Sequence, residues 1–455
     1  LKILSKAKKK VIGVLFLTGL TIGNSCVPTT PTRTPKREKE RVRTDTLTVF
    51  LTGNVLGELK PCGCSGGQLG GFDRRSTVLN SVSGQRRLVV DTGSFVKSDA
   101  EQDLIKYNII IQALELLDYD LVSLSEKDIE IGNNLGVLDG IESVFNIISP
   151  AGTADRSLPA RFTKELSLKG RTVSVTVAAF NAKSVPIEQV RELFATPSGV
   201  QTLDILILNH CDPGIIDFIA GSVPLVDCII CPAESDEPMI IGDPNKRPLA
   251  FSVGRFGRYI CRLQVTAPAR AGERLKLTFH AVAVEEDLPQ DGSLVRLYED
   301  YQQIVRDRNL LEKHPRFRLP NGLQYSGSRS CKPCHTYEYE KWSGNAHGRA
   351  FATLERVGSQ FDPECVVCHV VGMDYESGFI SQEQTGHLKN VGCENCHGPG
   401  SEHIKTAGAT ELAEPKSACI DCHTPEHSGD YAGNERSFLE KIVHWREPNA
   451  ASDVK

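Results

Sequence analysis

Four copies of Cys-x-x-Cys-His carry most of the chemistry this chain can do: Cys331 to His335, Cys365 to His369, Cys393 to His397 and Cys419 to His423. In such a motif the two thiols add to the vinyl groups of a haem and the adjacent histidine binds the iron. The thiols are Cys331 and Cys334, Cys365 and Cys368, Cys393 and Cys396, and Cys419 and Cys422. A redox or zinc cysteine pair with a chance histidine accounts for one copy. It does not account for four within about a hundred residues. The spacing predicts four covalently attached c-type haems, with His335, His369, His397 and His423 on the irons.

The sixth position of each iron decides the rest. A second histidine gives a low-spin centre that exchanges electrons with little rearrangement, whereas an open position permits chemistry on a small bound compound. Beyond the motifs this region holds His347, His387, His403, His427 and His444, with His314 just upstream and Met373 as a sulfur donor. Roughly thirty residues per haem are too few for a conventional core. Porphyrins must therefore supply much of the buried apolar surface, within short helices and loops, and must lie close together.

The elements that position these residues follow from the hydrophobic pattern. Apolar, β-branched runs at 46–51, 88–90, 121–124, 145–148, 173–178, 205–208 and 226–230 predict strands, and 252–265 and 275–284 longer ones. Amphipathic stretches at 104–117 and 190–194 predict helices between them, giving an α/β domain over 45–288. Leu294, Leu297, Tyr298, Tyr301, Ile304 and Val305 have helical spacing within a linker over 289–323, and the haem region covers 324–455.

At the start, Lys8 to Lys10 precede an apolar stretch from Val11 to Ile22 that is short for a membrane span. It suits a signal peptide over 1–25, with Cys26 lipidated after cleavage or, alternatively, plain secretion. Residues 26–44 read as a disordered tether. Export to a periplasm or equivalent space agrees with haem attachment outside the cytoplasm and permits disulfides. The net charge of −5 argues against a nucleic-acid partner.

The C-terminal part resembles the tetrahaem cytochromes related to the periplasmic electron acceptor of hydroxylamine oxidoreductase. The likeness lies in 326–330 leading into the first motif and on to Trp342 and His347, in 391–403 through Gly398-Pro399-Gly400-Ser401, and in 422–425 running to Lys441-Ile442-Val443-His444. It implies His347, His387, His403 and His444 as distal iron ligands, a set that need not be complete, and electron-transfer partners such as other cytochromes or a membrane quinone-oxidising complex. The N-terminal part resembles the 5'-nucleotidase and metallophosphoesterase superfamily through 46–57 with 70–75, 89–93, and 121–132 with 204–210. The resemblance implies an α/β sandwich. Most of the family's metal ligands are missing: Asn54, Leu56, Ser94, Lys127 and 232–235 stand at those places, and only His210 survives. Phosphoesterase activity is therefore not expected.

Cysteines stand near the vacated site instead. Cys62, Cys64, Cys211, Cys228 and Cys231 follow or lie on strands whose ends should converge on one crevice with His210. Three readings stay open: disulfides or buried thiols, a thiolate metal site, or sulfur chemistry. Cys261 reads as core. The chain thus reads as a multidomain protein, a degenerate metallophosphoesterase-like α/β sandwich followed by a mainly helical, loop-rich multihaem cytochrome c domain. Its expected role is electron transfer. The alternative is an oxidoreductase acting on a small nitrogen or sulfur compound, at an open haem or at the cysteine site.

Overall fold

The computed structural model describes residues 45–445, apart from 62–66, 143, 152–157, 184–185, 195–200, 271–272, 416–418, 425–426 and 429. The expected signal segment, Cys26, the tether, Cys62 and Cys64 lie outside the described residues. The described residues fall within one compact unit.

The strands are β1 (Thr46–Thr52), β2 (Arg87–Asp91), β3 (Leu121–Ser123), β4 (Asn146–Ile148), β5 (Arg161–Leu168), β6 (Arg171–Phe180), β7 (Gln201–Leu208), β8 (Cys228–Cys231), β9 (Ile240–Ile241), β10 (Leu249–Ser252), β11 (Tyr259–Thr266) and β12 (Lys276–Ala283). They form two six-stranded sheets, ordered β12-β11-β1-β2-β3-β4 and β5-β6-β7-β8-β10-β9. Strands β1 to β4 run parallel, as do β6, β7, β8 and β10, with antiparallel strands at the edges.

Alternation along β1 shows how the layers stack. Leu47, Val49 and Leu51 join Val173, Val175, Ile205 and Phe251 in the core between the sheets. Phe50 faces the other way, into a cluster with Ile109, Ile110 and Ala113 of the helix Glu101–Leu116 and Leu294, Leu297, Tyr301 and Val305 of the helix Gly292–Asp307. On the far side, Ile219 of the helix Pro213–Ser222 packs with Leu206 and Ile229. The result is helix, sheet, sheet, helix. Burial on both faces is why Leu47, Val49, Phe50 and Leu51 of β1 are all apolar.

Three elements depart from the sequence expectation. The run 252–265 is not one strand, because Gly254, Phe256 and Gly257 have φ of 78°, 60° and 61°, so the chain turns between β10 and β11. Strand β5 escapes the apolar pattern because it pairs on one side only, with β6, and mostly polar residues precede its buried Leu166 and Leu168. The helix Pro213–Ser222 carried a legible start: proline in its first turn, and Asp212, whose Oδ1 accepts from Ile215 N at 2.9 Å.

Asp204 on β7 lies fully buried beside Asp227. Burial first, and the Asp227 carboxylate second, push its carboxyl up to about 7. Folding therefore favours the protonated form. The contribution is complete below about pH 4, where the unfolded chain is protonated too, and is lost as pH rises through about 7. Asp204→Asn is expected to stabilise the chain at about pH 8 by on the order of 1–3 kcal/mol, and much less at about pH 4. Denaturant unfolding at both pH values checks this; an equal effect at both would refute the assignment.

The haem region has little core of its own. Among the described residues, eight buried apolar side chains, including Phe351, Leu354, Val366, Met373 and Phe379, cluster with Leu311 of the linker under short helices. Ile404, Ile420, Leu439 and Trp445 are each at least two-fifths exposed. No helix among the described residues is long and apolar enough to cross a membrane.

Candidate haem-binding site

Each motif closes into a tight turn. His335 N donates to Cys331 O at 3.0 Å and His423 N to Cys419 O at 2.8 Å. His369 N donates to Val366 O at 2.8 Å, and the third motif is the short helix Cys393–His397. The first and third turns are pinned together by Glu394, a residue between the paired cysteines, only 3 % exposed. Its carboxylate accepts from Ser326 N at 2.9 Å, Gly327 N at 2.7 Å and Gly400 N at 2.7 Å. Cys393 N donates to Ser328 Oγ at 3.0 Å. Glu394 and Ser328 were not singled out from sequence; a carboxylate inside a haem motif, beside a Gly-Pro-Gly-Ser turn, was the only signal.

The imidazoles then meet in pairs. His335 and His403 have ring centroids 6.2 Å apart with planes at 25°, His423 and His347 are 6.2 Å apart at 39°, and His397 and His444 are 6.3 Å apart at 86°. Two imidazoles that hold one metal ion from opposite sides, each through a bond of about 2 Å, place their centroids about 6 Å apart. The donor set and this spacing fit a haem iron between each pair.

Hydrogen bonds orient the rings. The Nδ1 atoms lie 2.7 Å from Ala350 O for His369, 2.7 Å from Thr410 O for His403 and 2.9 Å from Ile442 O for His444. His423 Nδ1 meets Ser428 Oγ at 3.0 Å. Anchoring Nδ1 this way leaves Nε2 as the metal-binding atom. Burial also lowers the imidazole pKa of His347, His369, His397 and His423, favouring the neutral, ligating form.

The remaining candidates are placed differently. His387 is exposed, and among the described residues no ring contact joins it to a motif histidine; its imidazole lies against Gly327. His314 Nε2 is 2.7 Å from Asp374 Oδ1. Met373 is packed into the small core, and His427 is exposed.

Sulfur contacts order the motifs in space. Cys331 lies near Cys393, Cys368 near Cys422, and Cys396 near Cys419. The sequence of neighbours is therefore first, third, fourth, second.

In the α/β part the structure corrects the thiolate metal site. Cys211 and Cys231 form a disulfide, so neither can offer a thiolate. Cys228 sits fully buried in the core between the sheets because alternate residues of β8 point inward, and Cys261 is buried there too. His210 lies at the surface, 3.6 Å from Asp212. Among the described residues no group of three or more His, Cys, Asp or Glu could hold a metal ion. The loops at these strand ends satisfy one another instead. Asp128 accepts from Ser94 N at 2.7 Å, Phe95 N at 2.9 Å and Ser125 N at 2.9 Å. Asp91 accepts from Thr52 Oγ1 at 2.7 Å. Gly93, with φ 80°, is required there because a Cβ would stand 2.4 Å from Ser123 O.

Four Cys-x-x-Cys-His turns, three of them with paired imidazoles, define a cytochrome c-like region. Residues 330–398 match the family described as cytochrome c554 and c-prime. Cytochrome c-554 of Nitrosomonas europaea is 30% identical over 111 residues, 20% of this chain and 47% of that protein. The chain therefore spans about half the length of this curated relative. Among solved structures, a calcineurin-like phosphoesterase from Bacillus subtilis is similar at a TM-score of 0.43 and 13% identity, over 57% of this chain and 97% of its own. A 5'-nucleotidase precursor from Thermus thermophilus gives 0.43 and 16%, over 69% and 68%.

Proposed function

We propose that this chain is an exported tetrahaem c-type cytochrome that passes electrons between redox partners outside the cytoplasm. The observation that supports it best is the three histidine pairs spaced 6.2–6.3 Å apart. Haem, when bound, supplies a one-electron iron couple whose potential the protein tunes through ligands and burial. The chain's part is to tether and orient. Cys331, Cys334, Cys365, Cys368, Cys393, Cys396, Cys419 and Cys422 are the attachment points. His335, His369, His397 and His423 would each bind one haem iron, and His403, His347 and His444 would supply a second ligand to three of them. Glu394 and the Nδ1 acceptors hold the rings in place, so that a change of oxidation state requires little movement. We further propose a lipid anchor at Cys26, and other cytochromes or a membrane quinone-oxidising complex as partners. The α/β part acts without a phosphoesterase centre.

Low-temperature electron paramagnetic resonance of the oxidised full-length protein, with haem quantified alongside, tests the reading. Four haems per chain, at least three of them low-spin, are expected. Fewer than four haems, or two or more high-spin centres, would overturn the relay and favour an oxidoreductase acting on a small bound compound.

A further inference from the structure

The α/β part and the helix Gly292–Asp307 hold the segment that leads into the second motif. Gln102 Nε2 donates to Asp362 Oδ1 at 2.7 Å, and Tyr301 OH donates to Asp362 Oδ2 at 2.8 Å. Gln302 Nε2 donates to Ser359 Oγ at 2.9 Å and to Val357 O at 3.1 Å. Between these contacts Lys106, on the helix Glu101–Leu116, forms an ion pair with Glu364, the residue next to Cys365. The Lys106 side chain is 6% exposed. Burial alone would lower the pKa of such an ammonium, but the Glu364 and Asp362 carboxylates outweigh it and raise its pKa. Glu58 completes the surroundings, its own carboxyl pushed up to about 7, chiefly by burial. Cys365 lies in the field of the same four groups: Asp362, Glu364, Lys106 and Glu58.

We infer that Lys106 is a positioning residue for the second haem: acting through Glu364 and the Cys365 turn, this lysine of the α/β part sets that haem's reduction potential. The inference rests on the tetrahaem reading. A buried cation without partners costs several kcal/mol, so its retention here demands the carboxylates that surround it. Reducing an iron adds one negative charge, and a fixed positive charge close by in a poorly screened interior favours that step. The second motif is also terminal in the order of sulfur contacts. The α/β part therefore adjusts one end of the relay.

The test is a spectroelectrochemical titration of the haem-loaded full chain, resolving four midpoints, in Lys106→Met, Lys106→Arg and Glu364→Gln. Lys106→Met is expected to lower one midpoint of the four by about tenfold in its reduction equilibrium, about 59 mV for a one-electron couple. Glu364→Gln should move the same midpoint upward, and Lys106→Arg should leave it near its original value. Should Lys106→Met not accumulate, Glu364→Gln carries the test, since that side chain is 57% exposed. Four midpoints that do not move, or four that move together, would overturn the inference. Haem content of the unsubstituted chain is read first: a value below four would sink the tetrahaem reading, whereas four haems with unmoved midpoints would sink this inference alone.

Discussion

Glu394→Ala is expected to abolish accumulation of the fully haem-loaded protein. The buried carboxylate accepts three backbone N–H groups from two separate segments, Ser326 and Gly327 ahead of the first motif and Gly400 after the third. Alanine leaves all three donors without an acceptor. Each orphaned buried donor costs about 1–3 kcal/mol, so the total is on the order of 4 kcal/mol. That is a large fraction of a typical domain's stability of about 5–15 kcal/mol. The loss falls where the segments beside the first and third motifs are held together. Glu394→Gln keeps one acceptor oxygen and should be intermediate, with a lowered melting temperature and partial haem content. Haem per chain and thermal unfolding of both variants check the ranking. Full haem loading in the alanine variant would show that the turns are held by something else.

The second large effect concerns the distal histidines. His403→Ala, His347→Ala and His444→Ala should each convert one low-spin centre of the four to high spin and open it to an added ligand such as cyanide. His387→Ala should leave the spin states unchanged, because that imidazole lies against Gly327 and not against a motif histidine. Electron paramagnetic resonance of the four oxidised variants reads this directly. A new high-spin signal in His387→Ala, with none in one of the other three, would reassign that pair. The comparison also separates a ligand from a structural histidine, since a merely destabilising substitution would lower haem content without creating a stoichiometric high-spin centre.

What could be read from the sequence depended on how local the information was. The haem motifs are contiguous, so their chemistry needs no fold to be recognised. The strands buried on both faces announced themselves as apolar, β-branched runs, as Ile205 to Leu208 of β7 does. Strand β5 did not, because its pattern reflects one partner strand rather than the chain around it. The distal set named His387 along with the three histidines that pair in the structure. Composition and context offered no means of saying which ring would come within 6.2 Å of which. Lys106 was invisible for a related reason. A lysine within a helix that packs on a sheet reads as a solvated position, whereas here the side chain is buried between Gly57 and Glu364. The cysteines near β7 and β8 were ambiguous because thiols that can ligate can equally pair. The approach of Cys211 to Cys231, with Cα atoms 5.5 Å apart, decides between the two.

The helix Gly292–Asp307 has a bearing on how this protein can be taken apart. By composition it is a polar bridge between two modules, and the obvious places to divide the gene lie on either side of it. Yet Leu294, Leu297, Tyr301 and Val305 complete the outer core of the α/β part, while Tyr301 and Gln302 hold the segment around Asp362. A fragment ending near Glu286 would leave Ile109 and Ala113 facing water, and one beginning at Gln324 would lose the anchor of its second motif. The two halves behave as a single building with a shared wall, and neither can be studied as a free-standing house.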